Sequence, residues 1–160
     1  MNPLRFAIIG SGNIGKIQAD AISNIPEAEV TVVCNRGEDS GRALADTCGA
    51  DWVASFTDAV GRDDVDIVTI CTPSGSHTEI AVAAAEAGKH VLVEKPIDIT
   101  LPRVDAIIDA AEKAGIVLAC VFPTRFAEGP HRAKQAIDAG RLGTIAFADC
   151  YVKWFRDQAY

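Results

Sequence analysis

Six residues near the start of the chain, Gly10-Ser11-Gly12-Asn13-Ile14-Gly15, have the spacing of a loop that receives a pyrophosphate. They follow an apolar run, Leu4–Ile9, and open a segment of helical period. In that setting Gly10 permits a tight turn, Gly12 lets the backbone approach a phosphate, and Gly15 allows the helix to lie close to the strand. A helix beginning at Asn13 and Ile14 presents free amides and a partial positive charge to the anion. Glycines also serve ordinary turns, but after the first strand of a strand–helix–strand unit this pattern points to a dinucleotide.

The residue that reads the adenosine ribose is expected about 20 positions further on, at the end of the second strand. Asn35 stands there, followed by Arg36, with Ser40 and Arg42 close by. A carboxylate at this place suits both ribose hydroxyls of NAD. Asn35 lacks the charge that would repel a 2′-phosphate, and Arg36 could clamp one, so NADP is favoured over NAD. The alternative is that Arg36 is a solvated loop arginine and either cofactor binds.

Two further groups fall at ends of apolar runs, where open α/β sheets bind ligands. Cys71-Thr72-Pro73 leads through Ser74-Gly75-Ser76 to His77, in the first turn of a helix. His77 reads equally well as a ligand-side residue or as a surface residue at a helix start. Glu94-Lys95-Pro96 closes the next strand. Alternation sends Glu94 and Lys95 to opposite faces. Lys95, held by the proline, could contact substrate or nicotinamide, or transfer a proton if desolvated. A strand-end ion pair with Glu94 or a neighbour accounts for it as well.

These groups are positioned by short apolar runs alternating with helical segments. Strands are expected at Leu4–Ile9, Glu29–Cys34, Asp51–Val53, Ile67–Cys71, His90–Val93 and Ile116–Val121. The runs are continuously apolar, as suits a parallel sheet covered on both faces. Ile14, Ile17, Ala21 and Ile22 would form the core face of the first helix; Val104, Ile107, Ile108 and Ala111 would form that of a later one. Ser76-His77-Thr78-Glu79 has the pattern of a capping box, and Thr100 that of an N-cap before Pro102. Gly49, Gly88, Gly115 and Gly140 each follow a helical segment, where a left-handed residue ends a helix. Repeated β-α-β units with right-handed crossovers make a Rossmann-type, doubly wound α/β fold.

The pattern changes after Val121. A non-periodic stretch, Phe122-Pro123-Thr124-Arg125-Phe126, leads to a helix expected over His131–Ala139 and a strand expected over Thr144–Phe155. A domain boundary near residue 122 divides a dinucleotide-binding domain, residues 1–122, from residues 123–160, read as the incomplete beginning of a substrate or oligomerisation domain. Tyr151, Trp154, Phe155 and Tyr160 would give that stretch an aromatic surface and make the isolated chain self-associate.

Composition limits the alternatives. The 160 residues carry 15 Lys and Arg against 22 Asp and Glu, a formal charge of −7, which disfavours nucleic acid and anionic membranes as partners. No apolar run reaches the ~18–20 residues of a membrane span. No secretory leader pattern is present at the start, and a cytoplasmic location is expected. Five scattered cysteines, Cys34, Cys48, Cys71, Cys120 and Cys150, lack the clustering of a disulfide framework or a metal site, so no metal is expected. Packing explains them best, with a catalytic thiol the alternative.

The phosphate-type loop, Thr72-Pro73 with His77, Glu94-Lys95-Pro96, and the later Arg125-Phe126 and Ala139–Ile145 stretches together resemble the Gfo/Idh/MocA family of NAD(P)-dependent oxidoreductases, over essentially the whole chain. The resemblance implies hydride transfer with a sugar, polyol or related hydroxyl or keto substrate, and a homo-oligomer. By it, Lys95 assists proton transfer at the substrate, while Gly10, Gly12 and Gly15 form the phosphate loop. Thr72, Pro73 and His77 line the nicotinamide side. The family's other catalytic pair, an Asp and a His one helical turn apart, belongs to its second domain. None of His77, His90 or His131 has an Asp four residues before it. The chain by itself is therefore expected to bind cofactor and turn over poorly. The alternative is a non-catalytic NAD(P)-binding sensor or partner protein.

Overall fold

β-Branched and other apolar residues in runs too short for helices pair edge to edge in the computed structural model, which describes residues 3–158. The strands are β1 (Leu4–Ile9), β2 (Ala28–Cys34), β3 (Asp51–Val53), β4 (Ile67–Ile70), β5 (His90–Val93) and β6 (Leu118–Cys120). They form one sheet in the order β3-β2-β1-β4-β5-β6 with every pair parallel. This is the Rossmann order, in which the chain leaves β1 in both directions and opens a crevice at the carboxyl ends of β1 and β4.

Strand periodicity divides the core into two layers. Ala7, Ile9, Val32, Cys34, Val68, Ile70, Val91 and Val93 share one buried cluster with residues of α3 (Phe56–Val60), α4 (His77–Glu86) and α5 (Leu101–Ala114). Phe6, Ile8 and Val33 point to the other side, against Ala19 and Ile22 of α1 (Asn13–Ser23) and Leu44 and Ala45 of α2 (Glu38–Cys48). Odd and even residues of β1 thus serve different helical layers, which is why Phe6, Ala7, Ile8 and Ile9 are apolar in succession.

The helix ends divide expected from unexpected. Gly49, Gly88, Gly115 and Gly140 all take positive φ, between 66° and 72°. The capping box at Ser76–Glu79 does not form. Ser76 closes a 3-10 turn with ψ near 4°, so its hydroxyl donates back to the Pro73 carbonyl at 2.7 Å and to Thr72 Oγ1 at 2.9 Å. The amide of Thr78 is capped instead from another loop, by Asp98 Oδ2 at 3.0 Å. Thr100 occupies the N-cap position of α5 with an extended backbone, but its side chain accepts no capping hydrogen bond.

The core face of α1 matches the expected one only at Ile22; Ala21 is exposed. Gly15, Ala19 and Ile22 are buried, whereas Ile14 and Ile17 are 39% and 60% exposed. The close approach that Gly15 permits turns its own side of the helix inward and rotates Ile14 and Ile17 out, while Ile22 stays buried.

Residues from 123 onward make a second compact unit. It holds a 3-10 turn, Pro123–Phe126, and α6 (Glu128–Asp138), whose Arg132–Glu128 and Lys134–Asp138 pairs lie one turn apart. The strand expected over Thr144–Phe155 is absent: those residues carry no regular structure. A strand exists by pairing, and no other described segment of this unit supplies a partner. Tyr151, Trp154 and Phe155 are exposed, and Tyr160 lies outside the described residues.

Two carboxylates tie the first unit together and give it a defined acid limit. Asp66 accepts from Arg5 Nε at 3.0 Å, Nη2 at 2.8 Å and the Arg5 amide at 3.0 Å, which lowers its pKa from 3.8 to about 2. Burial would raise the Asp98 carboxyl, but hydrogen bonds from Arg103, Thr78 and the Ile99 amide outweigh it and hold it well below the usual range. Both folded-state values lie below the unfolded ones. Their stabilisation is therefore complete above about pH 4 and disappears as pH falls through the folded-state values. Thermal unfolding midpoints should be level between about pH 5 and 7 and drop steeply between about pH 4 and 2. Asp66→Asn should be less stable than wild type at neutral pH, and the difference should vanish near the acid end. A difference independent of pH would remove Asp66 from this role.

Candidate dinucleotide-binding site

The carboxyl ends of β1, β2 and β4 frame a cavity of about 910 Å³. Its wall contains Gly10, Ser11 and Gly12 after β1, Asn35 and Arg36 after β2, and Cys71, Thr72 and Pro73 after β4. The volume is that of a small-molecule or cofactor site.

Backbone geometry explains the glycines. Gly10 has φ +108°, and a Cβ there would lie 2.8 Å from the Cys71 carbonyl oxygen. A Cβ on Gly15 would lie 2.0 Å from the Gly10 carbonyl oxygen. At Gly12 a Cβ would meet nothing within 4 Å. Gly12 is the N-cap of α1 and lines the cavity, and it supplies no side-chain cap to the first amides of the helix, among them those of Asn13 and Ile14. Open backbone at a helix N-terminus, with room where a side chain would stand, fits a pyrophosphate. Asn13, Ile14 and Gly15 are not part of the cavity wall themselves.

Asn35 and Arg36 separate in role. The Asn35 carboxamide is spent within the protein: Oδ1 accepts from the Ser11 amide at 3.3 Å, and Nδ2 donates to the Gly37 carbonyl and to Ser40 Oγ, each at 2.9 Å. Asn35 therefore joins the glycine loop to the loop after β2. Arg42 is engaged as well, with Nε donating to Glu38 Oε1 at 2.7 Å and its guanidinium 4.6 Å from the centre of the Trp52 ring. Arg36 is exposed on the cavity wall and has no ion pair among the described residues.

His77 is not a surface residue. It is 1% exposed and outside the cavity wall, with Nε2 2.9 Å from the Thr72 carbonyl and Nδ1 3.0 and 3.1 Å from those of Ile97 and Pro96. The ring bridges the loop after β4 to the loop after β5. Asp98, buried beside it, reinforces that bridge through Thr78 and Arg103. Arg103 in turn reaches both carboxylate oxygens of Glu79, each at 2.9 Å.

Glu94 and Lys95 follow β5, which ends at Val93. Glu94 Oε1 accepts from Gln18 Nε2 on α1 at 3.0 Å, whereas the Lys95 side chain is exposed. The alternative reading of Lys95, a strand-end ion pair with Glu94 or a neighbour, is not seen among the described residues; the Lys95 amide donates to Glu94 Oε2 at 3.3 Å. The peptide between Lys95 and Pro96 is cis.

Burial raises the Cys71 thiol to about 12 and the Cys34 thiol to about 11. Both stay protonated at neutral pH, which disfavours a thiolate nucleophile here. The wall also contains Ala54, Ser55 and Phe56 after β3, and Gly75, Ser76, Glu79 and Ile80 at the start of α4. Sequence reasoning placed Gly75 and Ser76 in the segment after β4 but assigned none of these residues to the site. For Ala54, Ser55 and Phe56 the one advance signal was position, directly after a strand end on the ligand side of the sheet.

Fold order, glycine loop and cavity together define a dinucleotide-binding Rossmann domain. The model of an oxidoreductase family with an NAD-binding Rossmann fold matches residues 4–122, and the chain belongs to that family, Gfo/Idh/MocA. It is 31% identical over 141 residues to a myo-inositol 2-dehydrogenase of Thermotoga maritima, covering 88% of this chain and 42% of the relative. It is 33% identical over 144 residues to an inositol 2-dehydrogenase of Rhizobium meliloti, covering 89% and 43%. Among solved structures, the WlbA dehydrogenase of Bordetella pertussis, in complex with NADH and UDP-GlcNAcA, superposes with a TM-score of 0.86 at 30% identity, over 89% of this chain and 41% of that one. The chain thus spans about two fifths of the length of these relatives.

Proposed function

We propose that the chain is the nucleotide-binding portion of an NAD(P)-dependent oxidoreductase acting on a sugar, polyol or related hydroxyl or keto substrate, and that it prefers NADP. The open N-terminus of α1 beside the cavity carries the first part of this reading. The guanidinium of Arg36 on the wall, without an ion pair among the described residues, carries the second. The residues that would hold the dinucleotide are the amides of Gly12, Asn13 and Ile14 at the pyrophosphate, Arg36 at a 2′-phosphate, and Cys71, Thr72 and Pro73 along the opposite wall. Gly10 and Gly15 shape the loop, Asn35 braces it, and Glu94 joins it to β5 through Gln18. His77 acts by positioning Thr72 and the loop that carries Lys95. When bound, the nicotinamide supplies the hydride donor or acceptor.

Lys95 contacts the substrate and assists proton transfer, supported by its exposure and the absence of an ion pair among the described residues. Residues 123 onward are the incomplete beginning of a substrate or oligomerisation domain, and the whole protein is a homo-oligomer. No described helix is long and apolar enough to cross a membrane, and a cytoplasmic location is part of the proposal.

Direct titration of the chain with NADPH and NADH tests this reading. Arg36→Ala should weaken NADPH by roughly tenfold or more, the loss of one charge-assisted phosphate contact, and leave NADH nearly unchanged. Equal effects on both would remove the case for NADP. No binding of either by the wild-type chain would remove the whole reading.

A further inference from the structure

Arg36 can select a phosphate only if its side chain leaves the backbone in a fixed direction, and that direction is set by the peptide unit joining it to Asn35. The unit is planar, so fixing the Asn35 carbonyl fixes the Arg36 amide with it. The Asn35 carbonyl accepts a hydrogen bond from the indole Nε1 of Trp52, in β3, at 3.1 Å. The preceding amide, that of Asn35, donates to the Val53 carbonyl at 3.2 Å.

The indole is itself held in place. Gly41 of α2 leaves the space it occupies: a Cβ on Gly41 would lie 2.2 Å from Trp52 Nε1 and 2.4 Å from its Cδ1. Arg42 covers the ring at 4.6 Å and is steadied by its ion pair with Glu38. Trp52 does not line the cavity, and its ring packs against the core cluster of β1, α1 and α2.

We infer that Trp52 is a positioning residue for cofactor discrimination: its N–H orients the Asn35–Arg36 peptide and so aims the Arg36 guanidinium at the 2′-position of the adenosine ribose. This rests on the NADP reading above and goes beyond it, because Trp52 touches neither the cavity nor the cofactor. A tryptophan serving only to fill space between β3 and α2 would need its ring and not its N–H.

The test is a double-mutant cycle on the chain as it stands, read by dissociation constants for NADPH and NADH. Trp52→Phe keeps a ring and removes the N–H. It should weaken NADPH about fivefold, the effect of one hydrogen bond, and change NADH by less than about twofold. In the Arg36→Ala background the same substitution should leave the NADPH to NADH ratio unmoved, since the group it aims is gone. Equal weakening of both cofactors by Trp52→Phe, or no change in either, overturns the inference while leaving the NADP reading intact. If Arg36→Ala does not move the ratio, the NADP reading fails first and the Trp52 role falls with it. Should the phenylalanine variant not fold, benzothienylalanine at position 52, with Trp154→Phe so that one site takes the analogue, keeps the shape and removes only the N–H. The same ratios then decide.

Discussion

Gly15→Ala is expected to abolish dinucleotide binding and lower the unfolding midpoint of the first unit by on the order of 10 °C. The added methyl carbon would stand 2.0 Å from the Gly10 carbonyl oxygen, a backbone atom that cannot swing aside. Either the first turn of α1 moves away from the glycine loop or the loop itself opens. Moving the helix costs buried contacts of Ala19 and Ile22, which pack with Phe6 and Ile8. Opening the loop disturbs Gly10, whose amide donates to the Cys34 carbonyl at 2.8 Å. Overpacking of this kind costs about 1–3 kcal/mol or somewhat more when backbone must shift. Thermal unfolding and NADPH titration on the same sample check both halves of the expectation. Gly12→Ala is the control, because its Cβ meets nothing in the protein. It should keep the wild-type midpoint, and any loss of affinity there reports crowding of the ligand alone. Wild-type stability in Gly15→Ala would mean that the loop is looser than its geometry.

Lys95→Met in the whole protein should lower kcat about 10²–10⁴-fold, the range of a lost acid–base group. Dissociation constants for the dinucleotide should change by less than about threefold, since Lys95 lies outside the cavity wall. Methionine keeps most of the side-chain length and removes the ammonium. The loop carrying Lys95 is held without it: His77 reaches the Pro96 and Ile97 carbonyls, and Asp98 is bound by Thr78, Ile99 and Arg103. A fall in kcat is therefore attributable to the ammonium and not to collapse of the loop. Retained turnover would remove the catalytic assignment. No measurable turnover in the whole wild-type protein, with cofactor binding intact, would favour the sensor reading.

Much of this architecture is legible in the chain itself. The bounds of β1, β3 and β5 follow from short runs of apolar and β-branched residues, and four helix ends follow from Gly49, Gly88, Gly115 and Gly140. Both signals are local: a strand needs a few consecutive residues, and a left-handed turn needs one without a Cβ. The glycine loop is legible for the same reason, since three glycines and the strand before them lie within a dozen residues.

What depends on distant partners was not legible. Ser76 and Glu79 have the spacing of a capping box, but Asp98, 20 positions beyond Thr78, caps that helix instead, and Arg103 takes Glu79. The core face of α1 was set by how closely Gly15 brings the helix to β1, not by where its isoleucines fall. Asn35 stands where a ribose reader is expected, yet its carboxamide is consumed by Ser11, Gly37 and Ser40. The strand expected at Thr144–Phe155 has alternation but no partner. Local conformational preference therefore determined the elements and the glycine loop. Hydrogen-bonding groups and helix faces each had several possible partners within reach, and only the folded arrangement decided which of them stand at bonding distance.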